Sequence, residues 1–288
     1  MIPTFVFVHG SGSSAHAWSA TQREMAARGH RTLALDLPGR GAGFTQAYYE
    51  QDLETFAAEP SPVRDVTLET QTRLVVDAVQ RMRHHGPVVL VAHSFGGLPV
   101  TAAANAIPEL IDRIVYVAAQ CPVERAPGEY PALPAWSSAD LFTATAPLMI
   151  GDPASQGFIR INWRAADRAQ RAALREAISG ELTEDEFLQV VLTSQPDEVF
   201  WLTGPEWDVR ADKDSWGRIP RTFVKLTKDR SMPLAVQELY VAEGDALTPD
   251  NPFDVRELES SHAGFLRRPA PLAAILDDLS VRAGAGSR

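Results

Sequence analysis

The sequence predicts an α/β fold in which a mostly parallel sheet of about six strands is flanked by helices. Short β-branched or apolar runs recur along the chain, and most are followed by a turn and then by a helical pattern. The 288 residues, 45% of them hydrophobic, can bury a full core in one large domain or two small ones. We expect one domain that carries an insertion.

The strand and helix patterns alternate from the first residues onward. The predicted strands are residues 4–8, 31–35, 88–92, 113–117, 222–226 and 253–258. The helical patterns between them cover residues 18–28, 68–82 and 98–106. In the second helix, Leu68, Val75 and Val79 lie near helical spacing, which predicts one apolar face.

Two stretches interrupt this alternation. Residues 43–65 mix aromatic side chains with acids and prolines, and we expect a long, partly helical excursion there. Residues 122–216 show no parallel-strand pattern but contain helical patterns at 165–178 and 183–192. We therefore predict a core of residues 1–121 and 217–288, with residues 122–216 inserted as a helical cap. Long insertions are often binding lids, so the cap is expected to contact substrate.

Composition and charge exclude several classes of function. A net charge of -10 leaves no basic face for nucleic acid, and the apolar stretches are far shorter than the roughly 20 residues of a membrane helix. No secretion signal follows Met1, which predicts a cytoplasmic location. Cys121 is the only cysteine, so an internal disulfide and a thiolate metal cluster are excluded. Neither a metal nor a cofactor is expected.

The sharpest local pattern is the apolar strand that ends in Ala92-His93-Ser94-Phe95-Gly96 and leads into a helix. It matches a G-x-S-x-G nucleophile elbow with Ala in place of the first Gly. Such a serine sits in a strained turn, so the positions two before and two after it must be small. The helix N-terminus beyond it favours negative charge. The pattern predicts that Ser94 is a nucleophile, and the alternative is an ordinary turn with a capping serine.

A serine hydroxyl needs a base, and His262 has the setting of one. It lies in a flexible turn after the last predicted strand, at the carboxyl edge of the sheet where catalytic groups gather. His93 is expected to pack beside the elbow instead. Four others lie in polar loops or beside helices and are expected to be solvated or structural: His16, His30, His84 and His85.

Asp229 is the candidate that would orient the base. It follows the strand at 222–226, so it lies at the same sheet edge, and the chain order Ser, Asp, His is that of nucleophile-elbow hydrolases. Asp245 and Asp254 are alternative candidates for this role, but their positions favour turn or surface carboxylates. Asp36 is expected to organise the turn after the second strand.

Acyl transfer also needs donors for the oxyanion, best supplied by backbone N–H groups. The first strand runs into a glycine-rich loop at residues 9–14, at the same sheet edge. We assign the N–H groups of Ser11 and Phe95 as the oxyanion hole. Phosphate binding is the rival interpretation, but the loop matches neither G-x-G-x-x-G nor G-x-x-x-x-G-K-[ST].

With these motifs the chain resembles the α/β-hydrolase superfamily. Within it, the chain is similar to the branch that contains plant methyl-ester esterases, hydroxynitrile lyases and many actinobacterial relatives. The likeness runs from residues 5–10 and 29–37 through the elbow to residues 226–229 and 261–262. This resemblance implies an α/β-hydrolase fold whose sheet begins with the superfamily's third strand, with a cap between its sixth and seventh strands.

The departures from the branch favour an esterase over its other activities. Hydroxynitrile lyases of this branch carry Lys directly after the catalytic His and Thr after the first His, where this chain has Ala263 and Gly10. Epoxide hydrolases and haloalkane dehalogenases have an Asp nucleophile where this chain has Ser94. Both comparisons argue against those chemistries.

The predicted function is hydrolysis of a small-to-medium hydrophobic ester or lactone through an acyl-enzyme. We expect roughly two thirds of the cap's aromatic side chains to pack inside it and the rest to line an apolar cleft. They are Trp136, Phe142, Phe158, Trp163, Phe187, Phe200, Trp201, Trp207 and Trp216. The alternatives are a carbon–carbon lyase or another cofactor-free enzyme of specialised metabolism with the same triad, and a non-catalytic ligand-sensing module. The oligomeric state is left open, a homodimer included.

Overall fold

A computed structural model of the protein describes residues 2–164, 167–200 and 204–285. Its main sheet has six strands in the order β2-β1-β3-β4-β7-β8, and every neighbouring pair is parallel. The strands are β1 (Thr4–Val8), β2 (Arg31–Leu35), β3 (Val88–His93), β4 (Arg113–Val117), β7 (Arg221–Leu226) and β8 (Asp254–Leu258). The predicted fold class is confirmed, and each predicted strand is present with bounds shifted by at most one residue.

The burial of each strand follows its place in the sheet. The central strands β1, β3 and β4 are almost continuously apolar and buried, as expected for a sheet covered on both faces. The edge strands β2 and β8 carry charged and half-exposed residues instead. The strand order reverses between β1 and β3, and in open α/β sheets the crevice at such a point receives the ligand.

Helices connect the strands and pack around the sheet. They are α1 (Ser19–Ala27), α4 (Leu68–Arg83), α5 (Gly97–Ala106), α10 (Leu234–Leu247), α11 (Gly264–Arg267) and α12 (Ala270–Ala285). Helix α1 packs on α12, and α4 packs on α5. A reciprocal capping box between Thr67 and Thr70 starts α4, whose apolar face carries the predicted Leu68, Val75 and Val79.

The excursion at residues 43–65 contains two short helices, α2 (Gln46–Glu50) and α3 (Leu53–Ala58), so it is partly helical as predicted. Tyr48 and Phe56 are buried there in a small apolar cluster of their own.

The described residues between β4 and β7 form four α-helices, several short 3-10 turns and a two-stranded ribbon. The helices are α6 (Leu141–Thr145), α7 (Pro153–Gln156), α8 (Arg168–Ser179) and α9 (Glu184–Val191). The ribbon pairs β5 (Phe158–Arg160) with β6 (Asp197–Val199) in antiparallel register. The two helical patterns predicted in this segment correspond to α8 and α9, whereas the antiparallel ribbon was not predicted. Strands of three residues are too short to show an alternating pattern, and only their partner in space reveals them.

The same segment has an apolar cluster separate from the main core. Leu174, Ile178 and Phe187 pack there with Trp163 and Val191. Across the described ranges, no helix combines the length and apolarity needed to cross a membrane.

Candidate active site

Ser94 lies in the sharp turn between β3 and α5. Its φ is +53°, a left-handed conformation that is costly for a residue with a side chain and is typical of functional sites. The turn leaves no room for larger neighbours. A Cβ at Gly96 would lie 2.5 Å from the carbonyl oxygen of His9, and one at Gly97 would lie 1.9 Å from that of Gln120. The small residues after Ser94 thus allow the chain to form this strained turn.

The structure brings Ser94, His262 and Asp229 together. The Nε2 atom of His262 is 2.9 Å from the Ser94 hydroxyl oxygen, and its Nδ1 atom is 2.6 Å from Oδ2 of Asp229. Because the carboxylate can only accept, Nδ1 carries the ring proton, and Nε2 is left to accept from the serine hydroxyl. The Oδ1 atom of Asp229 accepts the N–H groups of Ser231 and Met232, both at 2.8 Å, which fixes the carboxylate.

The turn that carries His262 is held by a carboxylate that the sequence did not reveal. Oε1 of Glu181 accepts the Ser261 N–H at 2.9 Å and the Ser260 hydroxyl at 3.0 Å. Burial by itself raises the pKa of Glu181, but hydrogen bonds from Ser261 and Ser260 outweigh it, and the pKa is lowered. The Ala263 N–H also donates to the Ile178 carbonyl at 2.7 Å. Nothing local marks Glu181, which lies 81 residues before His262.

Two buried histidines flank the site and stay neutral. Burial and the nearby His262 hold the pKa of His93 well below its usual 6.5, and the two rings lie 4.6 Å apart. Burial lowers the pKa of His9 to about 3. Its Nδ1–H donates to the Gly10 carbonyl at 2.8 Å, while Nε2 accepts the Leu37 N–H at 3.2 Å. His93 therefore packs beside the elbow, as the sequence suggested.

The rival acids take structural roles away from Ser94. Asp245 caps the N–H of Phe253 at 2.8 Å, and Asp254 pairs with Arg256. Asp36 accepts the Ala15 N–H at 2.7 Å and so ties the glycine-rich loop to the turn after β2.

Among the described residues, none of the remaining histidines forms a hydrogen bond with Ser94, Asp229 or His262. His30 pairs with Asp277 at 2.7 Å, and His84 and His85 are exposed. His16 is exposed at the rim of the cavity described next.

A cavity of about 410 Å³ opens above Ser94 and His262. Much of its wall comes from the segment between β4 and β7. The apolar lining includes Trp136, Leu141, Phe142, Met149, Ile159, Ile161, Trp163, Ile178, Val190, Phe200, Met232 and Leu266. Four of the predicted aromatic side chains are thus at the cavity. Four others pack in the apolar clusters, namely Phe158, Phe187, Trp207 and Trp216. Trp201 lies outside the described residues.

Two polar side chains at this cavity were not singled out from the sequence. Gln120 is only 4% exposed, and no described residue forms a hydrogen bond with its Oε1. Its backbone N–H donates to the Ser94 carbonyl at 2.9 Å, so it directly supports the elbow. Glu198, from β6, also lines the cavity and accepts the Gly12 N–H at 2.8 Å. Both come near Ser94 only through the packing of distant segments.

The predicted oxyanion donors belong to the glycine-rich loop and to the turn that follows Ser94. Ser11 lines the cavity in the glycine-rich loop, where a Cβ at Gly10 would be 2.8 Å from that of Ser94. Phe95 follows Ser94 directly and is buried against Trp207. Within the described part of the chain, no group of three or more His, Cys, Asp or Glu side chains could hold a metal ion.

A parallel sheet that carries a strained serine turn at its carboxyl edge is the architecture of the α/β hydrolases. Residues 5–275 match the alpha/beta hydrolase family, and the chain belongs to it. This confirms the family that the sequence motifs indicated.

The curated relatives agree with the predicted enzyme class, since the following three are named esterases. Esterase PIR7B from Oryza sativa subsp. japonica is 34% identical over 120 residues, which cover 41% of this chain and 39% of the rice protein. Polyneuridine aldehyde esterase from Rauvolfia serpentina is 24% identical over 96% of this chain and 95% of its own length. Methylesterase 10 from Arabidopsis thaliana is 23% identical over 96% and 92%.

Solved structures share the fold at low sequence identity. The crystal structure of polyneuridine aldehyde esterase superimposes with a TM-score of 0.71 at 18% identity, covering 97% of this chain and 100% of the other. An extracellular alpha/beta-hydrolase from a Paenibacillus species gives a TM-score of 0.67 at 21% identity, covering 95% and 97%.

Proposed function

We propose that this protein is a serine hydrolase that cleaves a carboxylic ester or lactone, with Ser94 as nucleophile, His262 as base and Asp229 as the residue that orients the base. The observation that carries the proposal is the unbroken line of hydrogen bonds from Asp229 through the imidazole to the Ser94 hydroxyl, at the floor of a cavity. The esterase names of the relatives agree with this chemistry.

The proposed reaction has two acyl-transfer steps. The Ser94 oxygen bonds to the substrate carbonyl carbon while His262 takes the hydroxyl proton, and the carbonyl electron pair becomes an oxyanion. The alcohol then leaves with that proton. Water attacks the acyl-enzyme in the same way, and the acid and free Ser94 are regenerated. Asp229 keeps the imidazole in position and stabilises its cation.

We further propose the N–H groups of Ser11 and Phe95 as donors to the oxyanion. Their support is the position of the two residues beside Ser94, one in the loop after β1 and one at the start of the turn into α5. Backbone donors that are already in place stabilise the developing charge without reorganisation.

The substrate we propose is small to medium and hydrophobic. The mostly apolar side chains around Ser94 support this, and the cavity suits a ligand of modest size. In this proposal, residues 122–216 act as a cap that supplies much of the apolar wall. The cytoplasmic location remains a prediction.

The first test replaces the nucleophile. Ser94→Ala should lower the turnover of p-nitrophenyl esters by several orders of magnitude, because the attacking oxygen is removed while the fold is kept. Ser155→Ala, at an exposed helix position, is the control and should leave turnover unchanged. Undiminished turnover by a folded Ser94→Ala protein would remove the assignment.

A second test separates an enzyme from a ligand-sensing module. A fluorophosphonate should phosphonylate Ser94, since its oxygen displaces fluoride from phosphorus while His262 takes the proton. Labelling should be absent in Ser94→Ala.

A third test concerns the substrate class. Across p-nitrophenyl esters of increasing acyl length, kcat/KM should rise with the length of the apolar chain. A strong preference for charged acyl groups would contradict the proposed substrate class.

A further inference from the structure

The glycine-rich loop after β1 is bonded to the segment between β4 and β7 through both peptide groups of Gly12. The Gly12 N–H donates to Oε2 of Glu198 at 2.8 Å, and the Gly12 carbonyl accepts the Gln195 N–H at 2.8 Å. The Nε1–H of Trp163 in turn donates to the Gln195 carbonyl at 2.8 Å. Gly12 is therefore held between one acceptor and one donor from a single short segment of the proposed cap.

The residue at position 12 must be glycine for this contact. Its φ is +61°, and a Cβ there would lie 2.8 Å from the Trp163 ring. The close approach of the ring and the left-handed backbone both exclude a side chain. Trp163, Gln195 and Glu198 can therefore pack directly against the glycine-rich loop.

Glu198 is itself fixed by a buried ion pair. It is 5% exposed, and Arg40, which follows β2 and is 8% exposed, pairs with its Oε1. Arg40 also donates to the Asp197 carbonyl. The Val199 N–H donates to Oε1 of Glu198 at 2.8 Å. A buried carboxylate is costly unless it is paired and hydrogen-bonded, and here both oxygens are used. The pair joins the loop after β1, the loop after β2 and strand β6.

These contacts bear directly on the N–H of Ser11. The Gly10 carbonyl and the Ser11 N–H belong to one planar trans peptide and point in opposite directions. His9 holds that carbonyl from the core side. Glu198 and Gln195 hold the next two peptide groups from the cap side. Three consecutive peptide groups are therefore oriented, and the Ser11 N–H belongs to the first of them.

From this geometry we infer that Glu198 is a positioning residue for the oxyanion hole, which acts through Gly12 to aim the Ser11 N–H at the reacting carbonyl oxygen. The inference rests on the proposed function, in which Ser11 is an oxyanion donor. It couples the cap to catalysis, because the oxyanion donor is in place only while β6 is seated on the loop.

The expected signature is a loss of kcat with little change in KM. Oxyanion donors act mainly in the transition state, and a displacement of about 1 Å can cost roughly 100-fold in rate. Glu198→Ala should therefore lower kcat about tenfold to 100-fold. Glu198→Gln keeps an oxygen that can accept the Gly12 N–H but loses the charge that pairs with Arg40, so it should be intermediate. Glu243→Ala is the matched control, a buried carboxylate on α10 whose side chain pairs with Arg125 and accepts the Tyr130 hydroxyl instead.

The experiment compares two inhibitors that differ only in forming an oxyanion. The Ser94 oxygen adds to the carbonyl carbon of an alkyl trifluoromethyl ketone while His262 takes the Ser94 hydroxyl proton. The carbonyl electron pair then becomes an oxyanion in the hole. The matching alkyl methyl ketone binds without that step. Glu198→Ala should weaken the first inhibitor by about the same factor as kcat and leave the second unchanged, while Glu243→Ala should keep their ratio at the wild-type value.

Amide hydrogen exchange of residues 9–14 supplies a readout that is independent of activity. Exchange should be faster in Glu198→Ala than in the wild type. Unchanged exchange, or faster exchange with an unchanged kcat and inhibitor ratio, would overturn the inference. Retained turnover in Ser94→Ala would instead overturn the proposed function. Loss of turnover in Ser94→Ala, together with normal kcat in Glu198→Ala, would overturn the positioning role alone.

Discussion

At the residue scale, burial decides the charge of the histidines around the site. His9 and His93 are enclosed by the core, and their neutral rings serve as hydrogen-bonding and packing groups. His262 is the ring that bridges an acid and a hydroxyl. The sequence could separate His262 from the others because of its place after the last strand, but it contained no information on how deeply His9 is buried.

This burial predicts that stability falls in mild acid. The pKa of His9 is lowered to about 3, and burial and His262 lower that of His93 well below 6.5. Below about pH 6.5 the unfolded chain binds protons on these rings and the folded chain does not. The associated stability is complete above pH 6.5 and declines as the pH falls, by up to about 1.4 kcal/mol per pH unit for each ring.

Urea unfolding between pH 7 and pH 5 measures this slope, since most carboxylates do not titrate in that range. His93→Asn should reduce the slope, because one of the two rings is removed. His84→Gln, at an exposed position, should leave it unchanged. A free energy of unfolding that stays constant over the range would contradict the prediction.

Gln120 provides a second prediction at this scale. Its buried Oε1 has no partner among the described residues, so Gln120→Met should leave the free energy of unfolding unchanged or raise it by about 1 kcal/mol. Gln237 is the matched control, because its carboxamide bonds Leu226 and Met232. Gln237→Met should lower the free energy by about 1–3 kcal/mol. Equal losses in both variants by urea unfolding would contradict the prediction.

At the element scale, the strand-to-helix turn depends on glycines that let β3, β4 and α5 approach closely. Gly97→Ala should lower the free energy of unfolding by about 1–3 kcal/mol, because its Cβ would lie 1.9 Å from the Gln120 carbonyl. The backbone at Gln120 bonds the Ser94 carbonyl, so esterase turnover should fall as well.

Gly180→Ala is the control for this change. Gly180 ends α8 with an ordinary right-handed φ of -55°, and only flexible Glu176 atoms and helix backbone lie near the added carbon. Thermal unfolding should show it at or slightly above wild-type stability. A Gly97→Ala protein as stable and active as the wild type would mean that the turn has more room than the structure indicates.

At the scale of the whole molecule, buried charges join segments that are distant in sequence. Arg160 on β5 makes two bonds of 2.7 Å to Asp197 on β6 and donates to the carbonyls of Phe56 and Glu59 in the excursion. Its guanidinium also stacks on the Phe56 ring, 4.2 Å from the centroid. The excursion and the two-stranded ribbon are thus held to each other by one arginine.

Removal of the Asp197 carboxylate, the partner of Arg160, should therefore lower the stability of the fold strongly. Asp197→Ala leaves the Arg160 charge buried without a carboxylate and should lower the free energy of unfolding by about 3–5 kcal/mol. Glu69→Gln, which breaks the exposed pair with Arg73, should change it by less than about 0.5 kcal/mol. Urea unfolding of the two variants measures the difference, and similar losses would show that the buried pair contributes no more than a surface pair.

The sequence by itself determined the parallel sheet, the serine turn and the order of the proposed Ser94, Asp229 and His262. These features depend on short-range rules, because apolar runs form central strands and only small residues fit around a strained turn. Parallel strands also bring their carboxyl ends to one edge, so residues far apart in the chain could be assigned to one site.

Only the tertiary structure decided the contacts made by Gln120, Glu181 and Glu198, and the pairing of β5 with β6. Each depends on segments that lie far apart in the chain, and a carboxylate that will be buried against an arginine looks locally the same as one that will be solvated. Their roles come from packing between the proposed cap and the core, which fixes distances that no local pattern encodes.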